Sequence, residues 1–148
     1  MRMSIEQGAV YNFSGNKTIP NHYFVVINKN PKKDREIYLV SFTTKKENAV
    51  RHIKHFQLNM KTYVEVAEGE CDFLPRWKES CINSNYVRKY EIQELTEILE
   101  NSNGQNYPKI SDKLLKRIIE GVKASRLIGK DIKEACIKSI DSIGKESP

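Results

Sequence analysis

The residue best suited to acid–base chemistry in this 148-residue chain is His22. It follows a turn and begins the apolar run 22–27, so its imidazole is expected at a strand end, at the rim of a groove. A histidine titrates near neutral pH and can take or give a proton, as the attack of a ribose 2′-hydroxyl on its own phosphodiester requires. The alternative is a partly buried histidine that only hydrogen-bonds to a nearby loop.

A pair of hydroxyl side chains, Thr43 and Thr44, ends the third apolar run and is followed at once by Lys45 and Lys46. Because strand side chains alternate, the two threonines must face opposite sides of the sheet. A hydroxyl beside two ammonium groups is suited to holding a phosphate. The same pattern also fits an ordinary exit from a strand into a loop.

Positive charge is concentrated in the first half of the chain. Residues 1–63 contain 11 Lys/Arg against 4 Asp/Glu, whereas residues 64–148 contain 14 against 15. A polyanion would therefore bind to the first half, because neutralised phosphates release their counterions. The densest basic stretch, 45–55, includes Arg51 and Lys54 and lies near Phe56 and Tyr63, whose rings are able to stack on bases. A flexible charged loop is the alternative for the same stretch.

Several other protein classes lack support. No apolar run approaches the roughly 18 residues that a membrane-spanning helix needs, and the N-terminus does not read as a secretory signal. The three widely spaced cysteines, Cys71, Cys81 and Cys136, fit free thiols in a reducing compartment and suggest neither a disulfide framework nor a zinc site. Sequence motifs for nucleotide binding, zinc proteolysis and serine hydrolysis are also missing. We therefore expect a cytoplasmic protein with no cofactor, no metal and no membrane partner.

The apolar patterns predict strands first and helices afterwards. Strand-like runs cover 8–13, 22–27 and 37–44, with weaker ones near 63–66 and 80–84. Helical spacing begins after Tyr90 and covers 92–101, then a helix with Ser111 as its N-cap, then a last helix from about residue 130 with Ile140 and Ile143 among its inward positions. The helices are too few to form a core alone, so we expect one α+β domain over 1–148, with a β-barrel part over 1–90 and a helical part over 91–148.

The first half also resembles the PemK/MazF class of toxins, which have an SH3-like barrel. The likeness rests on segments 8–11, 21–27 and 39–44, which match in order a strand opening with Gly, an apolar strand and a strand ending in a hydroxyl pair. Segments 71–74, 80–83 and 110–118 are similar to a divergent PemK-like branch that has a helical C-terminal part. Asn21 and His22 stand where the toxins have Arg-Pro, and Cys71 stands where the branch has His.

The resemblance implies a small SH3-like β-barrel followed by two or three C-terminal helices packed on it. It further implies a toxin of a toxin–antitoxin system: a homodimeric, metal-independent endoribonuclease on single-stranded RNA, with a protein antitoxin as partner. Thr43 and His22 would be the catalytic residues. The residues expected to contact RNA are Lys17, Thr44, Lys45, Lys46, Arg51, Lys54 and Ser80. A non-catalytic barrel module that binds protein or nucleic acid is the alternative function.

Overall fold

The computed structural model describes residues 5–14, 22–74, 79–101 and 107–137. Its strands are β1 (Val10–Phe13), β2 (His22–Val26), β3 (Glu36–Thr43), β4 (Tyr63–Val66), β5 (Ser80–Asn83) and β6 (Arg88–Glu91). Its helices are α1 (Pro31–Asp34), α2 (Lys46–His55), α3 (Ile92–Asn101), α4 (Asp112–Ala124) and α5, which is helical over 130–137 of the described chain. A 3-10 turn, Met60–Thr62, precedes β4. None of the helices in the described ranges has the length and apolar content that crossing a bilayer requires.

Strand β3 organises an antiparallel sheet in the order β1-β2-β3-β5-β4, with β6 also paired to β3. The first part of β3 pairs with β2, where Phe24 is opposite Ser41, and with β6, where Leu39 is opposite Arg88. Its last two residues pair with β5, where Thr43 is opposite Cys81. Because β3 runs through both parts of the sheet, its C-terminal end lies where strands from the two parts meet.

Both faces of the sheet are covered, which is consistent with the continuous apolar runs of β2 and β3. Helix α3 covers one face through Leu95 and Leu99, which pack on side chains that include Phe24, Val26, Ile37 and Leu39. Helix α4 covers the other face through a row of apolar residues at helical spacing. That row, Leu114, Ile118 and Val122, packs on side chains that include Val25, Val40, Phe42, Val64 and Ile82.

The structure confirms four predictions from the sequence. These are the α+β class, the five predicted strands within a few residues, the helix over 92–101 and the Ser111 N-cap. The Ser111 hydroxyl accepts from the backbone N–H of Leu114 at 3.2 Å, which satisfies one of the free donors of the first turn. Strand β6 was not predicted, because Arg88–Glu91 has no apolar alternation and is held by backbone pairing to β3. Ile140 and Ile143 lie outside the described residues.

The main difference lies in the basic stretch, which forms helix α2 and not a flexible loop. Its apolar content is low, but Ala49 and Ile53, one turn apart, are both buried. Glu47 in the first turn and the basic groups of the last turn also favour the helix through its dipole. The rest of the helix surface remains available for polar and charged groups, so α2 positions them rigidly beside the end of β3.

Candidate active site

A cavity of about 360 Å³ opens between the C-terminal end of β3 and helix α2. The sheet contributes polar side chains from β2 and β3, and α2 with the residue before it contributes a second wall. The turn between β5 and β6 closes a third side. The lining residues are His22, Ser41, Thr43, Lys45, Asn48, Ala49, His52, Asn83 and Tyr86.

The alternation of β3 explains why hydroxyl groups face this cavity. Ile37 and Leu39 share one face of the strand and are buried beneath α3. Ser41 and Thr43 continue the same row past the part of the sheet that α3 covers, and they line the open cavity instead. The β2–β3 register pairs Phe24 with Ser41, and continuing it by two residues brings His22 level with Thr43. The two predicted catalytic residues therefore come together in one cavity.

The Thr43 hydroxyl is oriented by the chain that follows it. Its Oγ1 accepts a hydrogen bond from the backbone N–H of Lys45 at 3.1 Å. Since the oxygen is engaged as an acceptor, the hydroxyl proton remains available to a ligand in the cavity. The exposed Lys45 side chain lines the same cavity, so a donor and a cation face one space.

The His22 imidazole is half-buried and packs edge-on against the ring of Phe24, with centroids 6.3 Å apart. Among the described residues it makes no hydrogen bond, so both ring nitrogens are free of protein partners there. The guanidinium of Arg88 lies over the same Phe24 ring at 5.7 Å and adds positive charge beside the cavity. His22 is thus placed to exchange a proton with a bound ligand.

His52 is the second histidine of the cavity and is held from both sides of its ring. Its Nδ1 lies 3.1 Å from the amide nitrogen of Asn83, and its Nε2 lies 2.7 Å from the hydroxyl of Tyr86. The rings of His52 and Tyr86 are 4.8 Å apart, and that of Phe56 is 5.0 Å from His52. Phe56 and Tyr86 are 51% and 57% exposed, so two accessible aromatic rings flank the histidine.

Two further depressions continue from this cavity around α2. One is lined by Asn48, Arg51, His52, His55 and Phe56, and it shares Asn48 and His52 with the first cavity. The other has a volume of about 740 Å³ and shares Arg51 and His55 with it; Lys46, Glu47, Val50, Lys54 and Tyr63 complete its lining. The three depressions form a contiguous surface that passes from hydroxyl groups to aromatic rings and then to cations.

Neither a protein-family model nor a curated protein sequence matches the chain. Solved structures do. One is an endoribonuclease in complex with its cognate antitoxin from a mycobacterial species, with a TM-score of 0.53, 10% identity and coverage of 84% of this chain and 95% of that one. Another comes from the MazE–MazF complex of Deinococcus radiodurans, with a TM-score of 0.51, 6% identity and coverage of 82% and 93%. The chain has the MazF-type fold. The predicted resemblance is therefore confirmed as a likeness of fold.

On this MazF-type fold, the residues predicted to contact RNA fall into separate groups. Thr44, Lys45, Arg51 and Lys54 are exposed, and the last three line the contiguous surface. Lys17 lies outside the described residues.

Lys46 is engaged in an ion-pair network. Its ammonium lies 2.8 Å from a carboxylate oxygen of Glu65 and 2.8 Å from one of Glu79. The hydrogen bonds that the Lys46 ammonium donates, first to Glu65 and then to Glu79, raise the pKa of Lys46 well above its ordinary value, and the bond to Lys46 lowers the pKa of Glu79. Two carboxylates already neutralise this ammonium, so it has little charge to offer a phosphate.

Ser80 is only 2% exposed, and as the first residue of β5 it pairs with Val66 of β4. Its hydroxyl therefore has no surface from which to reach a ligand. Among the residues described, no group of three or more His, Cys, Asp or Glu side chains is arranged to hold a metal ion. Cys71, Cys81 and Cys136 are free and buried.

The cavity residues that sequence reasoning did not assign to the site include His52, Asn83 and Tyr86. A signal for the first was present, because Lys45, Asn48, Ala49 and His52 have helical spacing and share a face once the segment is known to be helical. Asn83, at the end of β5, and Tyr86, in the turn that follows, have no comparable signal, since they acquire their positions only when β5 and β6 pair with β3.

Proposed function

We propose that this protein is an endoribonuclease that cleaves single-stranded RNA in the cavity between β3 and α2. The observation that carries the proposal is the convergence of His22, Thr43 and Lys45 on one cavity in a MazF-type fold. A proton acceptor, a hydroxyl donor and a cation are the groups that attack of a ribose 2′-hydroxyl on its phosphodiester requires. The reaction yields a 2′,3′-cyclic phosphate and a free 5′-hydroxyl and needs no external reactant.

The geometry supports different roles for His22, Thr43 and Lys45 in the reaction. The His22 imidazole, which packs on Phe24 and has no hydrogen-bond partner in the described chain, takes the proton of the attacking 2′-hydroxyl. The Thr43 hydroxyl and the Lys45 ammonium stabilise the charge that develops on the non-bridging phosphate oxygens. Water at the open mouth of the cavity gives a proton to the leaving 5′-oxygen, and the resulting hydroxide takes up the proton held by His22, so protons balance over the reaction.

The contiguous surface around α2 supports a single-stranded substrate. Phe56 and Tyr86 are exposed aromatic rings beside His52, on which unpaired bases are able to stack. Arg51 and Lys54 lie further along the same surface and would hold the phosphate backbone. A double helix would present neither unstacked bases nor a backbone narrow enough to follow these depressions.

The proposed biological setting is that of a toxin regulated by a protein antitoxin. Both solved structures named above are toxin–antitoxin or MazE–MazF complexes, which supports a protein partner that covers the cavity. The resemblance further supports a homodimer. Three free, buried cysteines are consistent with a reducing cytoplasm as the site of action.

The test is incubation of the purified protein with mixed-sequence single-stranded RNA in EDTA, with analysis of the product ends. We expect 2′,3′-cyclic phosphate ends with wild-type protein and their loss with His22→Ala and Lys45→Ala. The matched control is Lys113→Ala, an exposed lysine on α4 outside the cavity. RNA binding without cleavage would overturn the enzymatic proposal and favour a non-catalytic nucleic-acid-binding module.

A further inference from the structure

A chain of hydrogen bonds runs from the protein interior to His52. The Thr62 hydroxyl lies 2.5 Å from the carbonyl oxygen of Asn59, and its oxygen lies 2.9 Å from Nδ2 of Asn85. The same Nδ2 lies 2.8 Å from Oδ1 of Asn83, whose own Nδ2 faces His52. Thr62 and Asn85 are buried and line none of the depressions described above.

The hydrogen bond from Thr62 to Asn59 determines which group donates and which accepts in every other bond of this series. A carbonyl can only accept, so Thr62 gives its proton to Asn59 and its oxygen must accept from Asn85. The amide nitrogen of Asn85 therefore faces Thr62 and Asn83. Oδ1 of Asn83 accepts from that group and also from the backbone N–H of Asn85 at 3.1 Å.

With its oxygen fixed in this way, Asn83 can present only N–H to His52. Nδ1 of His52 must then be the acceptor, and the ring proton belongs on Nε2. Nε2–H donates to the Tyr86 oxygen at 2.7 Å, which leaves the proton of the Tyr86 hydroxyl free to be donated into the cavity. A hydroxyl that accepts a hydrogen bond is a stronger donor in turn.

We propose that Thr62, Asn85 and Asn83 form a positioning relay that fixes His52 as the Nε2–H tautomer and so turns Tyr86 into a hydrogen-bond donor toward the scissile phosphate. The role of Tyr86 rests on the proposed function, whereas the tautomer of His52 does not. Asn85 and Thr62 are positioning residues in this relay, since they act through Asn83 and His52 and not on the substrate.

The C-terminal end of helix α4 stabilises the relay through a hydrogen bond to Asn85. Its C-cap, Ser125, donates its hydroxyl proton to Oδ1 of Asn85 at 2.5 Å, and its oxygen accepts from the backbone N–H of Leu127 at 3.2 Å. All polar atoms of the Asn85 side chain are therefore engaged. A rotation of this amide would break three hydrogen bonds in a buried site, where an unpaired polar group is strongly unfavourable.

The test is ¹⁵N NMR of the imidazole rings in the full-length protein without RNA. The chain has three histidines, and the His52 signals are assigned by their loss in His52→Gln. We expect a protonated Nε2 and an unprotonated Nδ1 in the wild type. In Asn83→Asp, which replaces the facing N–H by an acceptor of the same shape, we expect a proton on Nδ1. An unprotonated Nδ1 in that variant, or a protonated one in the wild type, would overturn the relay.

Asn85→Asp tests the relay at a distance, because it removes both N–H groups that Asn85 donates while keeping its shape. We expect mixed tautomer signals for His52, with those of the exposed His55 unchanged. Asn101→Asp, the same substitution at the exposed end of α3, is the matched control. An unchanged His52 spectrum in folded Asn85→Asp would remove Asn85 from the relay.

RNA cleavage by the same variants separates this inference from the proposed function. If the protein is an endoribonuclease, Asn83→Asp should cleave roughly 10- to 100-fold more slowly, the range seen when partners that orient a site residue are lost. If the wild type has the expected tautomer but cleaves nothing, the relay stands and the proposed function fails. If Asn83→Asp changes the tautomer and leaves the cleavage rate unaltered, the assignment of Tyr86 as a donor to the phosphate is wrong.

Discussion

The backbone N–H of Lys45 donates to the hydroxyl oxygen of Thr43 at 3.1 Å, across the junction between the central strand and helix α2. This bond joins the two elements that form the cavity and orients the threonine at the same time. It also leaves Thr43 with one proton to donate, on the cavity side that His22 and Lys45 share. The end of β3 and the start of α2 thus present Thr43 and Lys45 together to a ligand in the cavity.

Thr43→Val should reduce the single-turnover cleavage rate about 100-fold, because it removes one preorganised donor to the phosphate and keeps the shape of the side chain. Thr43→Ser should retain most of the rate, since it restores the hydroxyl. Thr96→Val is the matched control, because Thr96 lies on α3 and donates only to the backbone oxygen of Ile92. Wild-type rates in Thr43→Val would place Thr43 outside the catalytic machinery.

The salt dependence of RNA binding should distinguish two lysines on the same helix. Lys54→Gln should lower the slope of log K against log salt by about 0.7, the value for one lost phosphate contact to a single strand. Lys46→Gln should change the slope less, because Glu65 and Glu79 already neutralise its ammonium. The slopes are measured with a noncleavable RNA analogue at several salt concentrations. Equal effects of the two substitutions would show that Lys46 leaves its carboxylates to bind RNA.

Gly121→Ala should destabilise the protein, although alanine normally stabilises a helix interior over glycine by about 1 kcal/mol. A Cβ at this position of α4 would lie 2.8 Å from the carbonyl oxygen of Lys61 and 2.8 Å from the hydroxyl of Ser84. Overpacking of this kind costs roughly 1–3 kcal/mol in the free energy of unfolding, to be measured by urea denaturation.

The matched control for that substitution is Gly129→Ala. There the added Cβ would meet the carboxylate of Asp131, the end of a side chain that is able to rotate away. We expect a smaller loss of stability for Gly129→Ala than for Gly121→Ala. The reverse order would mean that α4 does not need its close approach to the 3-10 turn and the turn after β5.

The sequence could predict features that depend on neighbours along the chain. Ser111 was identified as an N-cap because the motif is complete within four residues, and the apolar runs of β2 and β3 stand out as buried strands. That His22 and Thr43 lie in one site could be predicted only from the resemblance to the PemK/MazF class, since their proximity depends on the β2–β3 register. Ser80 is buried in the fold where β5 pairs with β4, and no local pattern encodes that pairing.

The same reasoning explains why the relay was invisible in the sequence. Thr62 and Asn85 occur in short polar segments typical of turns, and Asn83 lies near the end of a weak strand-like run. These polar side chains come together only when α4 packs against their segments, with Ser125 in contact with Asn85 and Gly121 close to Ser84. Helix α2 was missed for a related reason, since only a narrow apolar face, Ala49 and Ile53, is needed to hold a helix against the sheet.

Alkaline pH should destabilise the fold through its buried thiols. Burial raises the pKa of Cys71 and of Cys81 from about 9 to about 11, and that of Cys136 to about 12. A folded-state pKa above the unfolded one means that the folded state holds its proton longer, so the associated stability is complete below about pH 9 and is lost as the pH rises toward 11–12. The free energy of unfolding from urea titrations should therefore fall between pH 8 and pH 10.5. Cys136→Ala should show a shallower fall than the wild type, because its unfolded state has one thiol fewer to ionise. Identical pH slopes in the two proteins would mean that Cys136 ionises equally easily in the folded and unfolded chains.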